Sequence, residues 1–236
     1  EGSFPERTPQ RRAPFPLKIL PIFPSEVSLE QMRHTGDLIS GDPRIKGVVF
    51  RLGTLRAGPP TLHSLRQTIQ KLRGQGKQTI AWMSSAGTWD YYLASACDEI
   101  ILPPSGRLNV LGLRSEALFL KETLAMAGVK ADLESIAEYK VAPDMFRRST
   151  MTEPHREMLN SILDSYYGEL ISAIVEGRGL QQAHVRDLID SMPLATDDAI
   201  RARLIDAALY EDELAEYLAD QREAPENDDE PKVPLV

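Results

Sequence analysis

Short apolar runs alternating with stretches of helical spacing constrain this chain more than any other feature of its sequence. Gly47-Val-Val-Phe-Arg-Leu52, Gln78-Thr-Ile-Ala-Trp-Met83 and Glu99-Ile-Ile-Leu102 are too short for helices and are bounded by turn residues, so each is predicted as a strand. Between the first two, Leu62, Leu65, Ile69 and Leu72 keep helical spacing until Gly74-Gln-Gly76, and Gly53 to Pro60 reads as a loop. A helix from Leu29 to Ile39 precedes the first strand, and a short one through Tyr91-Tyr92-Leu93-Ala94 precedes the third. Downstream the pattern predicts a helix opened by Ser115 and running to Gly128, then a strand over Lys130 to Ile136. A long amphipathic helix begins near Thr152, with Leu159, Ile162, Leu163, Tyr166, Leu170 and Ile174 on one stripe. Small helices follow around Val185 to Ile189 and Thr196 to Arg203. Lys18 to Phe23 is predicted as an edge strand, because Pro21 cannot donate to a ladder. Such alternation specifies an α/β layered domain.

The two ends are excluded from it. Residues 1–16 hold four prolines among arginines and read as a linker; residues 221–236 are acidic and proline-broken and read as a tail or an interdomain linker. The expected folded domain is therefore 17–220, long enough for a proper core. With 35 acidic against 27 basic residues the net charge is −8, which argues against non-specific nucleic-acid binding. The single cysteine, Cys97, excludes an intramolecular disulfide, and no Cys/His cluster has zinc spacing. No apolar run reaches the length of a membrane span. The chain opens on Glu1 rather than Met, which is expected of a piece of something longer.

In α/β folds chemistry gathers in loops beyond the carboxyl ends of strands. Ser84-Ser85-Ala86-Gly87-Thr88-Trp89-Asp90 is one such loop, where a nucleophile would gain exposure and a helix N-terminus. A Ser/Gly loop ahead of a helix is more commonly an N-cap. Glu138 to Phe146 is the second such loop. Lys140 within it is either a solvated charge or, if desolvated by Met145, Phe146 and Met151, an amine that could act as a general base. His34, His63, His155 and His184 are scattered, so a Ser-His-Asp triad has no support.

The second loop carries a resemblance. Glu138-Tyr139-Lys140-Val141-Ala142-Pro143-Asp144-Met145-Phe146, followed by Met151-Thr152 and Arg156-Glu157, resembles the lysine motif of the signal peptide peptidase A (protease IV) family. Asp42 to Phe50, Gly76-Lys77, Tyr91 to Asp98 and the Gly106 to Gly112 segment follow in family order. The resemblance implies a Clp protease/crotonase-like spiral of ββα units with a C-terminal helical extension. It also implies a Ser–Lys serine protease without cofactor or metal, degrading residual signal peptides. Larger members carry two tandem copies, the first donating the lysine and the second the serine. This chain resembles the first, so Lys140 is the catalytic residue that carries over.

The serine half departs from the family pattern. Its nucleophile would fall at Thr88, followed by Trp89 and Asp90 where the family has two glycines. Gly53 to Pro60 stands where oxyanion donors are expected, and Pro59 and Pro60 have no N–H to offer. Within the lysine motif itself, Val141 and Met145 replace the family's Ser and Pro. The expectation is thus an N-terminal domain whose partners are peptide substrates, a C-terminal catalytic domain and further copies of itself. It would sit at the extracytoplasmic face of a bacterial membrane, anchored by a segment outside this chain. The alternative is a non-catalytic crotonase-like scaffold or peptide-binding module.

Overall fold

The computed structural model describes residues 2–3, 5–6, 28–53 and 55–223; the predicted strand at 18–23 lies outside them. In chain order the elements are β1 (Gly2–Ser3), α1 (Leu29–Gly41), β2 (Gly47–Arg51), β3 (Leu55–Arg56), α2 (Pro59–Gly74), β4 (Gln78–Trp82), β5 (Ala86–Gly87), α3 (Thr88–Ala94), β6 (Glu99–Leu102) and β7 (Arg107–Asn109). There follow α4 (Lys121–Met126), α5 (Asp144–Arg147), α6 (Glu153–Arg178), α7 (Gln182–Asp190), β8 (Leu194–Ala195), α8 (Thr196–Arg201), β9 (Ala207–Ala208) and α9 (Leu214–Glu223). The chain divides into two compact units, one of residues up to Leu111 with those from Ile171 onward, the other of residues 112–170.

The first unit is built on a parallel sheet in the order β2-β4-β6-β9. All three predicted core strands lie in it, β2 pairing with β4 from Gly47 opposite Gln78 to Arg51 opposite Trp82. Asp98 sets the next register: its carboxylate accepts from the Thr79 N–H at 2.9 Å and from the Thr79 hydroxyl at 2.8 Å. A smaller sheet joins β5, β7 and β8. One face of the main sheet presents Ile80, Trp82 and Ile101 to Leu214 of α9, with Leu209, Tyr217 and Leu218 packed around them. The Trp82 indole N–H donates to the Leu209 carbonyl at 3.1 Å, and the Tyr217 hydroxyl donates to Glu99 at 3.0 Å.

Helix α2 packs on β4, α3 and α1. It begins at Pro59, inside the segment predicted as loop, because proline at the first helical position lacks only an N–H that has no partner there anyway. It ends at Gly74, and Gly76 takes the left-handed φ of 75° that turns the chain into β4. On its inner face, between Leu62 and Ile69, Arg66 is buried. Its guanidinium donates to the Tyr92 carbonyl (2.7 Å), the Ser95 hydroxyl (2.8 Å) and the Ala173 carbonyl of α6 (3.0 Å). Burial lowers its pKa, with Tyr92 and Glu176 pulling the other way.

Cys97 is fully buried, and burial, helped by the Asp98 charge, pushes its thiol up to about 12. A raised thiol pKa favours the neutral form in the folded state. Its contribution is therefore complete below the unfolded value of about 8.5 and fades as pH rises through the folded one. A thiol reagent at about pH 8 should leave Cys97 unmodified until denaturant is added. Rapid modification of the native chain would contradict that burial.

Two predicted elements of the second unit are corrected. The helix expected from Ser115 starts only at Lys121, because the Leu120 N–H donates to the Met145 carbonyl at 2.6 Å instead of to the preceding turn. The strand expected over Lys130 to Ile136 does not form: alternation stops at Glu134, and no strand lies beside the segment among the described residues. Its apolar Leu133 and Ile136 stand exposed. Helix α6 begins at Glu153, with Thr152 accepting from the His155 N–H at 3.3 Å, as its sequence predicts.

Candidate active site

The lysine loop belongs to the second unit. Residues 137–140 make a turn closed by the Lys140 N–H on the Ala137 carbonyl at 3.0 Å. A second turn, Asp144 N–H to Val141 carbonyl at 2.9 Å, leads into α5. The Asp144 carboxylate is buried and takes Arg148 Nε at 3.2 Å, which fixes the exit of the loop. On the entry side, the Tyr139 hydroxyl donates to Glu157 Oε2, on the first turns of α6, at 2.9 Å. That hydrogen bond and the Glu157 charge raise the Tyr139 pKa, so the phenol stays a donor. Lys140 itself is exposed. The apolar jacket expected of its neighbours is not closed in this chain, since Met145 and Phe146 are each more than a third exposed.

The Ser84 to Asp90 loop belongs to the first unit. Ala86–Gly87 is short strand β5, paired with β7, and Thr88 opens α3. The Gly87 N–H donates to Asp90 three residues on, at 3.1 Å, which closes the first turn from its N-terminal side. The Thr88 hydroxyl is held twice by one residue, donating to the Leu111 carbonyl and accepting the Leu111 N–H, each at 2.9 Å. Its proton and a lone pair are thereby committed to backbone. Ser84 and Ser85 are exposed. The oxyanion side is equally poor: Pro59 and Pro60 occupy the first two positions of α2, where N–H groups would otherwise project.

No rival site emerges among the described residues. His63 lies between the Tyr92 hydroxyl (3.3 Å) and Gln67 (3.0 Å). His155 stacks edge-on to Phe119. The cations of a cleft of about 420 Å³ near Arg66, Arg73, Ser95 and Glu176 are committed: Arg66 to Glu176, Arg73 to Asp98. Among the described residues no group of His, Cys, Asp and Glu could hold a metal ion, and no helix is long and apolar enough to cross a membrane.

Residues 71–224, a span that takes in both loops, match the model of Peptidase family S49. The chain belongs to that family. This is the signal peptide peptidase A resemblance of the lysine motif, now established at family level. Among S49 relatives, the chain is 29% identical over 199 residues to the Arabidopsis thaliana protein named serine protease SPPA, chloroplastic, covering 84% of this chain and 29% of that one. Over 145 residues it is 29% identical to Protease 4 of Haemophilus influenzae, covering 61% of this chain and 24% of the relative. The chain thus spans less than a third of these relatives' length. A solved structure of an enoyl-CoA hydrotase/isomerase family protein from Silicibacter pomeroyi is similar at 15% identity, with a TM-score of 0.48 over 82% of this chain and 68% of that one.

Reading the sequence missed the Tyr139–Glu157 pair of this S49 chain. The partners are 18 positions apart on a loop and a helix, a spacing no local periodicity marks.

Proposed function

We propose that this chain is the lysine-donating part of a Ser–Lys endopeptidase, with Lys140 as general base and the nucleophilic serine supplied from outside these residues. The observation that carries the reading is the state of Thr88. The family match spans both loops, yet the hydroxyl at the nucleophile position is bound twice by Leu111, while the lysine loop keeps its motif apart from Val141 and Met145.

In the reaction the neutral Lys140 amine takes the proton from the serine hydroxyl as that oxygen bonds to the peptide carbonyl carbon. The resulting ammonium returns the proton to the amine that leaves when the C–N bond breaks. Water then hydrolyses the acyl-enzyme with the same lysine as base. An exposed lysine in this chain is consistent with an amine that is desolvated only when the serine-bearing partner covers it. The substrates would be residual signal peptides, cut at a membrane surface by a self-associated enzyme whose anchor lies outside this chain.

Labelling with a serine-reactive phosphonate tests the division of labour. This chain alone should take up no label at Ser84, Ser85 or Thr88, and the full-length protein should be labelled at a serine elsewhere. Label on Thr88 would sink the reading. A full-length protein that takes no label and cleaves no peptide would favour the scaffold instead.

A further inference from the structure

Lys140 sits in a loop whose ends are held differently. After the lysine, Asp144 is locked by Arg148, and the Met145 carbonyl takes the Leu120 N–H. Before it, the one side-chain tether of residues 137–140 among the described residues is Tyr139 on Glu157. Glu157 stands on a 26-residue helix, a rigid reference, while residues 129–137 leading into the turn belong to no helix or strand. Tyr139 is also the residue immediately before the lysine, so fixing its side chain fixes the backbone from which Lys140 departs.

We infer that Tyr139 and Glu157 form a clamp that positions Lys140, which makes both of them positioning residues for proton transfer. The inference rests on the reading of Lys140 as general base. The pair is exposed, Tyr139 by about half, so the hydrogen bond contributes little to global stability. Its effect should appear in turnover, because a displacement of about 1 Å at a reacting group lowers rates by up to roughly a hundredfold. It should not appear in substrate binding, since neither side chain is placed in a substrate site.

The test uses the full-length protein, a fluorogenic peptide substrate and five variants: Lys140→Met, Tyr139→Phe, Glu157→Ala, Glu157→Gln and the Tyr139→Phe/Glu157→Ala double. Tyr139→Phe and Glu157→Ala should each lower kcat roughly ten- to a hundredfold with KM and Tm little changed. The double variant should be no slower than the slower single one, since both remove one bond. Glu157→Gln should restore most of the rate, because its amide carbonyl still accepts the phenol proton. Wild-type kcat in Tyr139→Phe, where Lys140→Met is inactive, would overturn the clamp; so would losses that multiply, or a Glu157→Gln as slow as Glu157→Ala. A Lys140→Met protein that still turns over removes the reading beneath the proposal and the proposal with it.

Discussion

In the full-length protein, Lys140→Met should abolish peptide hydrolysis and leave the fold intact. The replacement keeps the length of the side chain and removes the only group the reaction is proposed to use as base. Loss of one member of a nucleophile–base pair lowers kcat by about a thousandfold or more. Because Lys140 is exposed and placed on a turn, the change in stability should stay within about 0.5 kcal/mol. Lys140→Arg should be equally inactive, since a guanidinium stays protonated and accepts no proton. The check is turnover of a peptide substrate beside thermal unfolding of the same preparations. Wild-type turnover in Lys140→Met would make the residue an ordinary surface charge and the domain a scaffold.

Gly177→Ala should destabilise the chain by about 2–3 kcal/mol, although alanine is the better helix former by about 1 kcal/mol. Gly177 lies in the last turn of α6, where a Cβ would overlap the Ser95 carbonyl just beyond α3. The obstruction is backbone rather than the end of a flexible side chain, so relief requires the helix to move. Moving it would disturb Arg66, which bonds both Ser95 and the Ala173 carbonyl. For a chain of this size the expected fall in Tm is about 5–10 °C. Gly168 of the same helix supplies the control, since a Cβ there meets nothing within 4 Å. Gly168→Ala should raise Tm by a few degrees, of the order of 0.4–1 kcal/mol. If the two substitutions shift Tm in the same direction, the close approach at Ser95 is not what keeps position 177 as glycine.

Much of the first unit was legible because its strands are self-declaring. The runs at 47–52, 78–83 and 99–102 are apolar over their whole length, and all became neighbours in one parallel sheet. The strands that were missed are two or three residues long and exist only through partners remote in sequence, as β9 does beside β6, more than a hundred positions earlier. In the second unit the opposite error occurred. Lys130 to Glu134 alternates like a strand, but periodicity reports a preference and pairing needs a neighbour. Ser115 resembles a helix cap, yet the bond from Leu120 to Met145 decides where that helix starts. Lys140 was legible only through the resemblance of its motif. Nothing in composition distinguishes it from the chain's other lysines, and the clamp at Tyr139 is visible only once α6 is in place.

The packing of α9 on the sheet determines where this domain can be cut. Among the described residues the last strand ends at Ala208, so a fragment ended there would still contain all four described strands of the sheet. It would also bare Ile80, Trp82 and Ile101 to water and leave the Trp82 indole without the Leu209 carbonyl. A truncation series should therefore pass abruptly from soluble to aggregating as the boundary crosses Leu214 to Leu218. The minimal expressible piece is thus set by the helix that roofs the sheet rather than by the last strand within it.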